Sequence, residues 1–340
     1  MPKRDIIVVG GSAGALEVLS SIVSKLPHDL AASVFVVLHI SPSRESSLPA
    51  ILTRAARMPA IQPGDQQAIE YGQIYVAPPD RHMLVENRHI TVVHGPKENR
   101  SRPAIDPLFR SAAINYGPRV IGVVLSGSLD DGTAGLRAIK KSGGVAIVQD
   151  PEEATYPAMP ESAIYNDTVD HVVPAAQIAP LLRQLVEHEV PTERGAESVS
   201  DDLRKEVEVA KQKLESEEMI ETANQVGRLS MFTCPECQGS LWEIKDGELL
   251  RYRCHVGHAF SIASLAEGQA EQLEAALWSA LRALEERGAL ARRLAGQSRE
   301  REHGSLSARF EERAREADGH AKSIRKILLI DPEKSFSSIQ

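Results

Sequence analysis

Cysteine is nearly absent from this chain. Only three occur in 340 residues, at positions 234, 237 and 254. An odd, clustered set argues against a disulfide framework. Positive charge is in deficit: 39 Lys and Arg stand against 47 Asp and Glu, a net charge of −8. That balance excludes broad binding to nucleic acid or to anionic membranes, and no basic run accompanies the cysteines. No apolar stretch approaches the roughly 20 residues of a transmembrane helix. The start Met1-Pro2-Lys3-Arg4 is not followed by the apolar region of a signal peptide. A cytoplasmic protein without membrane insertion is expected. No internal repeat is evident.

What is present is ample apolar content, 42%, enough for a sizeable core. The length suggests two or three domains. Three runs read as buried strands: Ile6-Ile7-Val8-Val9, Ala32 to Leu38, and Val120 to Leu125. Each is apolar on both alternations, as in strands covered by helices on both faces. Helical segments intervene, among them Gly14 to Lys25 and Leu48 to Arg57. The alternation predicts an α/β fold with a doubly wound, mostly parallel sheet. Sites in such sheets form at the carboxyl ends of strands.

Three chemistry-bearing groups stand at such ends. Ser12 lies in Gly10-Gly11-Ser12-Ala13-Gly14, between the first strand and Ala15-Leu16-Glu17-Val18-Leu19. A serine on a glycine-flanked strand-to-helix turn presents its hydroxyl clear of the backbone, beside the positive end of a helix. His39 follows the second strand in His39-Ile40-Ser41-Pro42, and Asp130-Asp131-Gly132 follows the third. Serine, imidazole and carboxylate are the set that acyl transfer needs: a nucleophile, a base to take its proton, and an acid to orient the base. The chain order Ser, His, Asp differs from the orders of the α/β-hydrolases, chymotrypsin and subtilisin.

Blander readings compete. The Gly10 to Gly14 turn could bind phosphate or simply turn the chain. It lacks the spacing of a dinucleotide fingerprint and the lysine of a P-loop. A histidine at a strand end is usually a satisfied polar residue, and Asp-Asp-Gly is usually a turn or a helix cap. Asp150 is a rival acid; His82 and His94 are rival bases in weaker strand contexts.

The residues resemble the catalytic domain of the chemotaxis receptor methylesterases, the CheB family. Ile7 to Gly14 is similar to that family's nucleophile turn, and Val37-Leu38-His39-Ile40 to its histidine strand end. Arg102 to Phe109 is similar to its R-P-S-V-D-x-L-F segment, and Leu125 to Gly132 to its L-T-G-M-G-x-D-G segment. Ile74 to Asp80 and Ala158-Met159-Pro160 also fit, so the likeness covers roughly residues 5 to 188. The resemblance implies Ser12 as nucleophile, His39 as base and Asp131, not Asp130, as orienting acid. It implies hydrolysis of glutamyl methyl esters on methyl-accepting receptors, with deamidation of glutamine as a second reaction and no catalytic cofactor. Departures are Ala13 for the family's threonine, Ala15 for a glycine, and Ser128 for the methionine whose backbone helps form its oxyanion hole. These bear on substrate more than on reaction class. The family's N-terminal receiver domain has no room ahead of a strand beginning near Asp5, so gating in cis is not expected.

Composition shifts after Val190. The organisation expected is a catalytic domain over 1–190, a linker with a charged, exposed helix over 191–228, a zinc-ribbon-like unit over 229–260 and a helical tail over 261–330. Pro191 to Asp202 is polar, and Leu203 to Val226 has sparse apolar positions at Val207, Ala210, Leu214 and Ile220. Cys234-Pro235-Glu236-Cys237 and Cys254-His255-Val256-Gly257-His258 flank two apolar runs joined at Asp246-Gly247. Asp-Gly between such runs predicts a hairpin, which brings the halves together as a structural zinc site. The ligands expected are Cys234, Cys237, Cys254 and His258, with His255 as the alternative to His258; a redox Cys-x2-Cys would want a βαβ context. In the tail, Leu265, Leu273, Leu277, Leu281, Leu284, Leu290 and Trp278 form a stripe, and Gly304-Ser305 separates a second helix over Leu306 to Leu329. The pair either packs on itself or the ribbon, or self-associates or docks on a receptor.

The expectation is therefore a serine carboxyl-ester hydrolase of this type, with the C-terminal half regulating access to Ser12. The rival readings are a non-catalytic signalling scaffold using the same groove and a phosphate binder at the glycine turn.

Overall fold

In the computed structural model, residues 2–40, 46–166, 169–190, 201–212 and 215–329 are described. Ser41, Pro42, most of the expected linker (191–200), Leu214 and residue 330 lie outside them.

The first part of the chain runs β1 (Ile6–Gly11), α1 (Ala15–Ser24), β2 (Ser33–Leu38), α2 (Leu48–Ala55), β3 (Ala60–Ile61), β4 (Gln67–Ala68), β5 (Ile74–Val76), β6 (His82–Val85), β7 (His89–Val93), α3 (Ile105–Tyr116), β8 (Val120–Val124), α4 (Thr133–Lys141), β9 (Val145–Gln149), α5 (Ala158–Asn166), β10 (His171–Val173) and α6 (Ala175–Glu187). Seven strands form one sheet in the order β10-β9-β8-β1-β2-β5-β3, and their pairings are parallel. β4, β7 and β6 make a small antiparallel sheet that the sequence reading did not anticipate.

The continuous apolar runs have a direct cause. Ile7, Val9, Val34, Val36, Ile121 and Val123 pack on one face against Leu19, Ile22 and Val23 of α1 and Ile178 and Leu182 of α6. Their alternates Ile6, Val8, Phe35, Val37 and Val124 pack on the other face against α3 and α4. Each buried side chain contributes about 1.5–3 kcal/mol. The chain starts in the middle of the sheet, builds outward through β2, and returns to β8 on the other side of β1. That switch point is where an open sheet leaves a crevice at its carboxyl edge.

The remainder runs α7 (Asp201–Ala210), α8 (Ser216–Val226), β11 (Arg228–Thr233), β12 (Ser240–Asp246), β13 (Leu249–Cys254), β14 (Ala259–Ser261), α9 (Ile262–Glu300) and α10 (Gly304–Leu328). β11 to β14 form a four-stranded antiparallel sheet in chain order, and Asp246 pairs with Leu249 across the expected hairpin. Among the described residues, those up to 265 form one compact unit and those from 266 to 329 another.

Two expectations are corrected. Leu203 to Val226 is not one exposed helix: it is two helices, and α7 buries Glu206, Val207, Val209 and Ala210. A charged helix buries its face here because partners neutralise its carboxylate. Arg251 Nη1 and Nη2 donate to Glu206 at 2.6 and 2.8 Å, and Arg253 Nη2 at 3.1 Å. Arg253 and Arg110 also hold Glu98, the latter at 2.5 Å. The second correction concerns the tail stripe, since Leu273, Leu290 and Trp278 are exposed. Of the stripe residues in the second unit, Leu281 is buried, and the seam between α9 and α10 is otherwise made by Ala291, Ala295, Ala314, Ala317 and Ala321, all buried. Arg292 bonds Asp318 at 2.6 Å and Ser307 Oγ donates to Ala295 O at 2.9 Å, so the helices run antiparallel.

Candidate active site

Parallel register brings the first two groups together. Gly11 faces Leu38 at the ends of β1 and β2, so Ser12 and His39 follow side by side, and the His39 N–H donates to Gly11 O at 3.2 Å. The Ser12 N–H donates to Ser126 O, beyond β8, at 2.9 Å. Gly14 opens α1 with φ of 75°, a left-handed turn that a side chain would strain. Gly127 is required for space: a Cβ there would stand 2.9 Å from Ser12 Cβ and collide with Met159 Sδ.

His39 Nε2 lies 2.8 Å from Asp131 Oδ2. Asp131 is buried, while the His39 side chain is 18% exposed. The carboxylate is unusually well served. Oδ2 also accepts from Ile105 N at 2.7 Å, and Oδ1 accepts from Asn99 Nδ2 at 2.9 Å, Gly132 N at 3.0 Å and Asp106 N at 3.3 Å. Ile105 and Asp106 open α3, whose own cap residue Ala104 offers no side-chain acceptor. Asp131 thus caps α3 through space, and the helix N-terminus stabilises its charge. Burial favours the neutral acid, but the His39 bond and charge, the backbone donors and Asn99 outweigh it, holding Asp131 below the usual carboxylate range. Asp106, fully buried beside it, is pushed up to about 7 by burial and by the Asp131 charge. One carboxylate is held ionised and its neighbour is pushed toward the neutral form.

Ser12, His39, Asp131, Asn99 and Ser128 line one cleft of about 240 Å³. The other candidates lie elsewhere. His82 is a fully buried core histidine, bonded to Pro96 O at 2.8 Å and accepting from Ala104 N at 3.2 Å. His94 bonds Asp80 at 3.0 Å on the surface. Asp150 accepts from Glu152 N at 3.0 Å in its own turn. Asp130 turns away from the histidine, and its Oδ1 accepts from Ser261 Oγ at 2.5 Å. Sequence reasoning missed Asn99, Asp106, Ser261 and Ser264. Asp106 lies in a quoted motif segment, but nothing local marks the others.

A family model described as CheB methylesterase matches residues 7–182. The chain belongs to the CheB methylesterase family. It is 36% identical over 182 residues to a Leptospira interrogans protein provisionally named protein-glutamate methylesterase/protein-glutamine glutaminase, covering 53% of this chain and 94% of that one. It is 35% identical over 191 residues to the Pyrococcus horikoshii protein of the same functional name, spanning 55% of this chain and 52% of that one. The crystal structure of the Thermotoga maritima CheB methylesterase catalytic domain superposes with a TM-score of 0.52 at 32% identity, over 54% of this chain and all of that one. The seven-stranded sheet and its flanking helices are thus the CheB catalytic fold, and its relatives are named as hydrolases. Residues beyond 182 fall outside the family match. Among the described residues, no helix is long and apolar enough to cross a membrane.

Cys234, Cys237, Cys254 and His258 converge, with one ligand atom each and all four within 4.8 Å of one another. Cys237 Sγ and Cys254 Sγ are 3.8 Å apart, and Cys254 Sγ is 3.6 Å from His258 Nδ1. Tetrahedral zinc, with bonds of about 2.3 Å to sulfur and 2.0–2.1 Å to nitrogen, requires separations of about 3.8 and 3.6 Å. His255 lies outside this set and stands edge-on to Trp242. The Cys254 thiol is pushed down, mainly by its hydrogen bond with Cys234 and also by His258, against burial.

Proposed function

We propose that this chain is a serine hydrolase that removes methyl groups from glutamyl side chains of methyl-accepting receptors and deamidates glutamines at such positions. The observation that carries the reading is the buried Asp131 carboxylate bound to His39 beside Ser12 in one cleft. The names of the relatives supply the substrate class. In this mechanism His39 takes the Ser12 proton through Nδ1 as Oγ adds to the ester carbonyl. Asp131 fixes the tautomer and stabilises the imidazolium. The adduct collapses, the bond to methoxide breaks, and His39 returns the proton to release methanol. Water then adds to the acyl-serine with His39 again as base, and glutamate leaves. A glutamine substrate follows the same course and releases ammonia. Ser128 lines the cleft, and its backbone N–H is the proposed oxyanion donor. The reaction needs no cofactor. A cytoplasmic location fits a substrate on the receptor's signalling region.

The Cys234, Cys237, Cys254 and His258 cluster is proposed to hold one structural zinc. The Cys237–Cys254 and Cys254–His258 separations fit a tetrahedron, and four protein ligands leave no open position. When bound, the metal cross-links the two ends of the hairpin.

Methanol release from a glutamyl γ-methyl ester peptide, with Ser12→Ala and His39→Ala alongside, tests the catalytic assignment. The parent releases methanol and both variants lose it. Release that survives in Ser12→Ala refutes the nucleophile, and peptide binding without release favours a scaffold.

A further inference from the structure

Asn99 stands where the catalytic fold meets the cysteine-bearing sheet. Its Nδ2 donates to Asp131 Oδ1 at 2.9 Å and to Asp106 Oδ2 at 3.0 Å. Its Oδ1 accepts from the Ser261 N–H at 2.9 Å and from Ser264 Oγ at 3.1 Å. Its own N–H donates to Ala259 O at 2.8 Å. Asn99, Ser261 and Ser264 are all buried.

The valence of the amide decides its direction. A backbone N–H can only donate, so Ser261 must face Oδ1. The NH₂ then points at the carboxylates. Turned the other way, the amide would set oxygen against two carboxyl groups and its own hydrogens against the Ser261 N–H. The end of β14 therefore determines that Asn99 offers Asp131 a donor. Asn99 and Arg100 have φ of 47° and 67°. Such consecutive left-handed residues are strained and persist only where surroundings impose them. The Ala259 contact and Ser261 are those surroundings. A second route runs in parallel, from Ser261 Oγ to Asp130, the neighbour of Asp131.

We propose that Asn99 is a positioning residue for Asp131, and that Ser261 and Ser264 set it, so that the cysteine-bearing sheet completes the catalytic acid. The proposal rests on Asp131 being the acid that orients His39. The cysteine cluster enters through chain geometry: Cys254 ends β13, and His258 immediately precedes β14.

The test uses the full chain with the glutamyl γ-methyl ester peptide. Asn99→Ala removes a hydrogen bond to a charged group; kcat is expected to fall about 10-fold or more, with KM little changed. The acidic limb of the kcat/KM profile moves to higher pH, because a less stabilised carboxylate is protonated earlier. Asn99→Asp keeps the acceptors for Ser261 and Ser264 but opposes Asp131 with charge, and it loses more. Ser264→Ala, which disturbs packing least, shows the same limb shift at smaller amplitude. In histidine-labelled protein the resonance of the His39 Nε2 proton moves in all three variants, with no turnover needed. Should folded variants keep the parent's kcat, limb and resonance while Ser12→Ala is dead, the positioning role is overturned and the hydrolase stands. A parent with no turnover refutes the hydrolase, and the resonance still decides what Asn99 does to Asp131.

Discussion

Ser12 and His39 follow directly on Gly11 and Leu38, the last facing pair of two adjacent parallel strands. Sheet register therefore places the proposed nucleophile and base. The proposed orienting acid, Asp131, arrives from the far side of β1, where it also caps α3. Replacing it touches both roles. Asp131→Asn is expected to lower kcat by about 10³–10⁴-fold, since an amide no longer selects the productive tautomer. Steady-state kinetics on the methyl ester peptide check this, with circular dichroism confirming that α3 persists.

Gly127 offers a subtler perturbation. A methyl group there would meet Ser12 Cβ at 2.9 Å and press on Met159. Gly127→Ala should shift the nucleophile and lower kcat by about 100-fold or more, since misplacement of about 1 Å has that effect. An unchanged kcat in a folded variant would show that the turn has slack.

Asp130 predicts a pH effect on stability. Burial, helped by the Asp131 charge and opposed by the Ser261 bond, raises it to about 6. The unfolded chain releases this proton near pH 3.9. Between those values the folded state holds more protons than the unfolded one, so this group's contribution declines as pH rises from about 4 to about 6. Asp130→Asn should remove that decline. Parallel Tm–pH curves that keep the same slope for parent and variant would contradict it.

The metal assignment is quantitative. About one zinc per chain is expected by elemental analysis. Cys254→Ser should abolish it, and a chelator should lower the unfolding temperature of the parent but not of the variant. Metal-free parent protein that is as stable after zinc is added back would rule the site out.

Glu206 balances Arg251 and Arg253 in the interior. Burial opposes its ionisation, but Arg251, Arg110 and Arg253 hold it far below the ordinary glutamate range. Glu206→Ala strands those cations and should cost about 3–5 kcal/mol, read as a lower denaturant midpoint.

The catalytic half was legible because its signals are local. A both-faces apolar run, a glycine-flanked serine and polar groups at strand ends each occupy a few consecutive residues. The cysteine hairpin is local in the same way. What escaped depends on distance along the chain. Asn99 reads as a turn residue until Ser261, far downstream, is brought to its carbonyl. α7 reads as solvated because its carboxylate finds its cations on β13. The tail stripe was legible only in part: Leu281 joins the seam, but Leu273 and Trp278 repeat at helical spacing on the exposed side, and alanines supply the rest of the closure.

The guanidinium and carboxylate groups of Arg110, Arg251, Arg253, Glu98 and Glu206 mesh like teeth in a dry lock. Sliding β13 by one residue would turn Arg251 and Arg253 away from Glu98 and Glu206 and leave the carboxylates unpaired, and lifting it partway would separate buried cations from their anions. Half-seated arrangements are therefore disfavoured. Departure of the hairpin sheet from its seat should be all-or-none, and the edge of the reaction cleft inherits that abruptness.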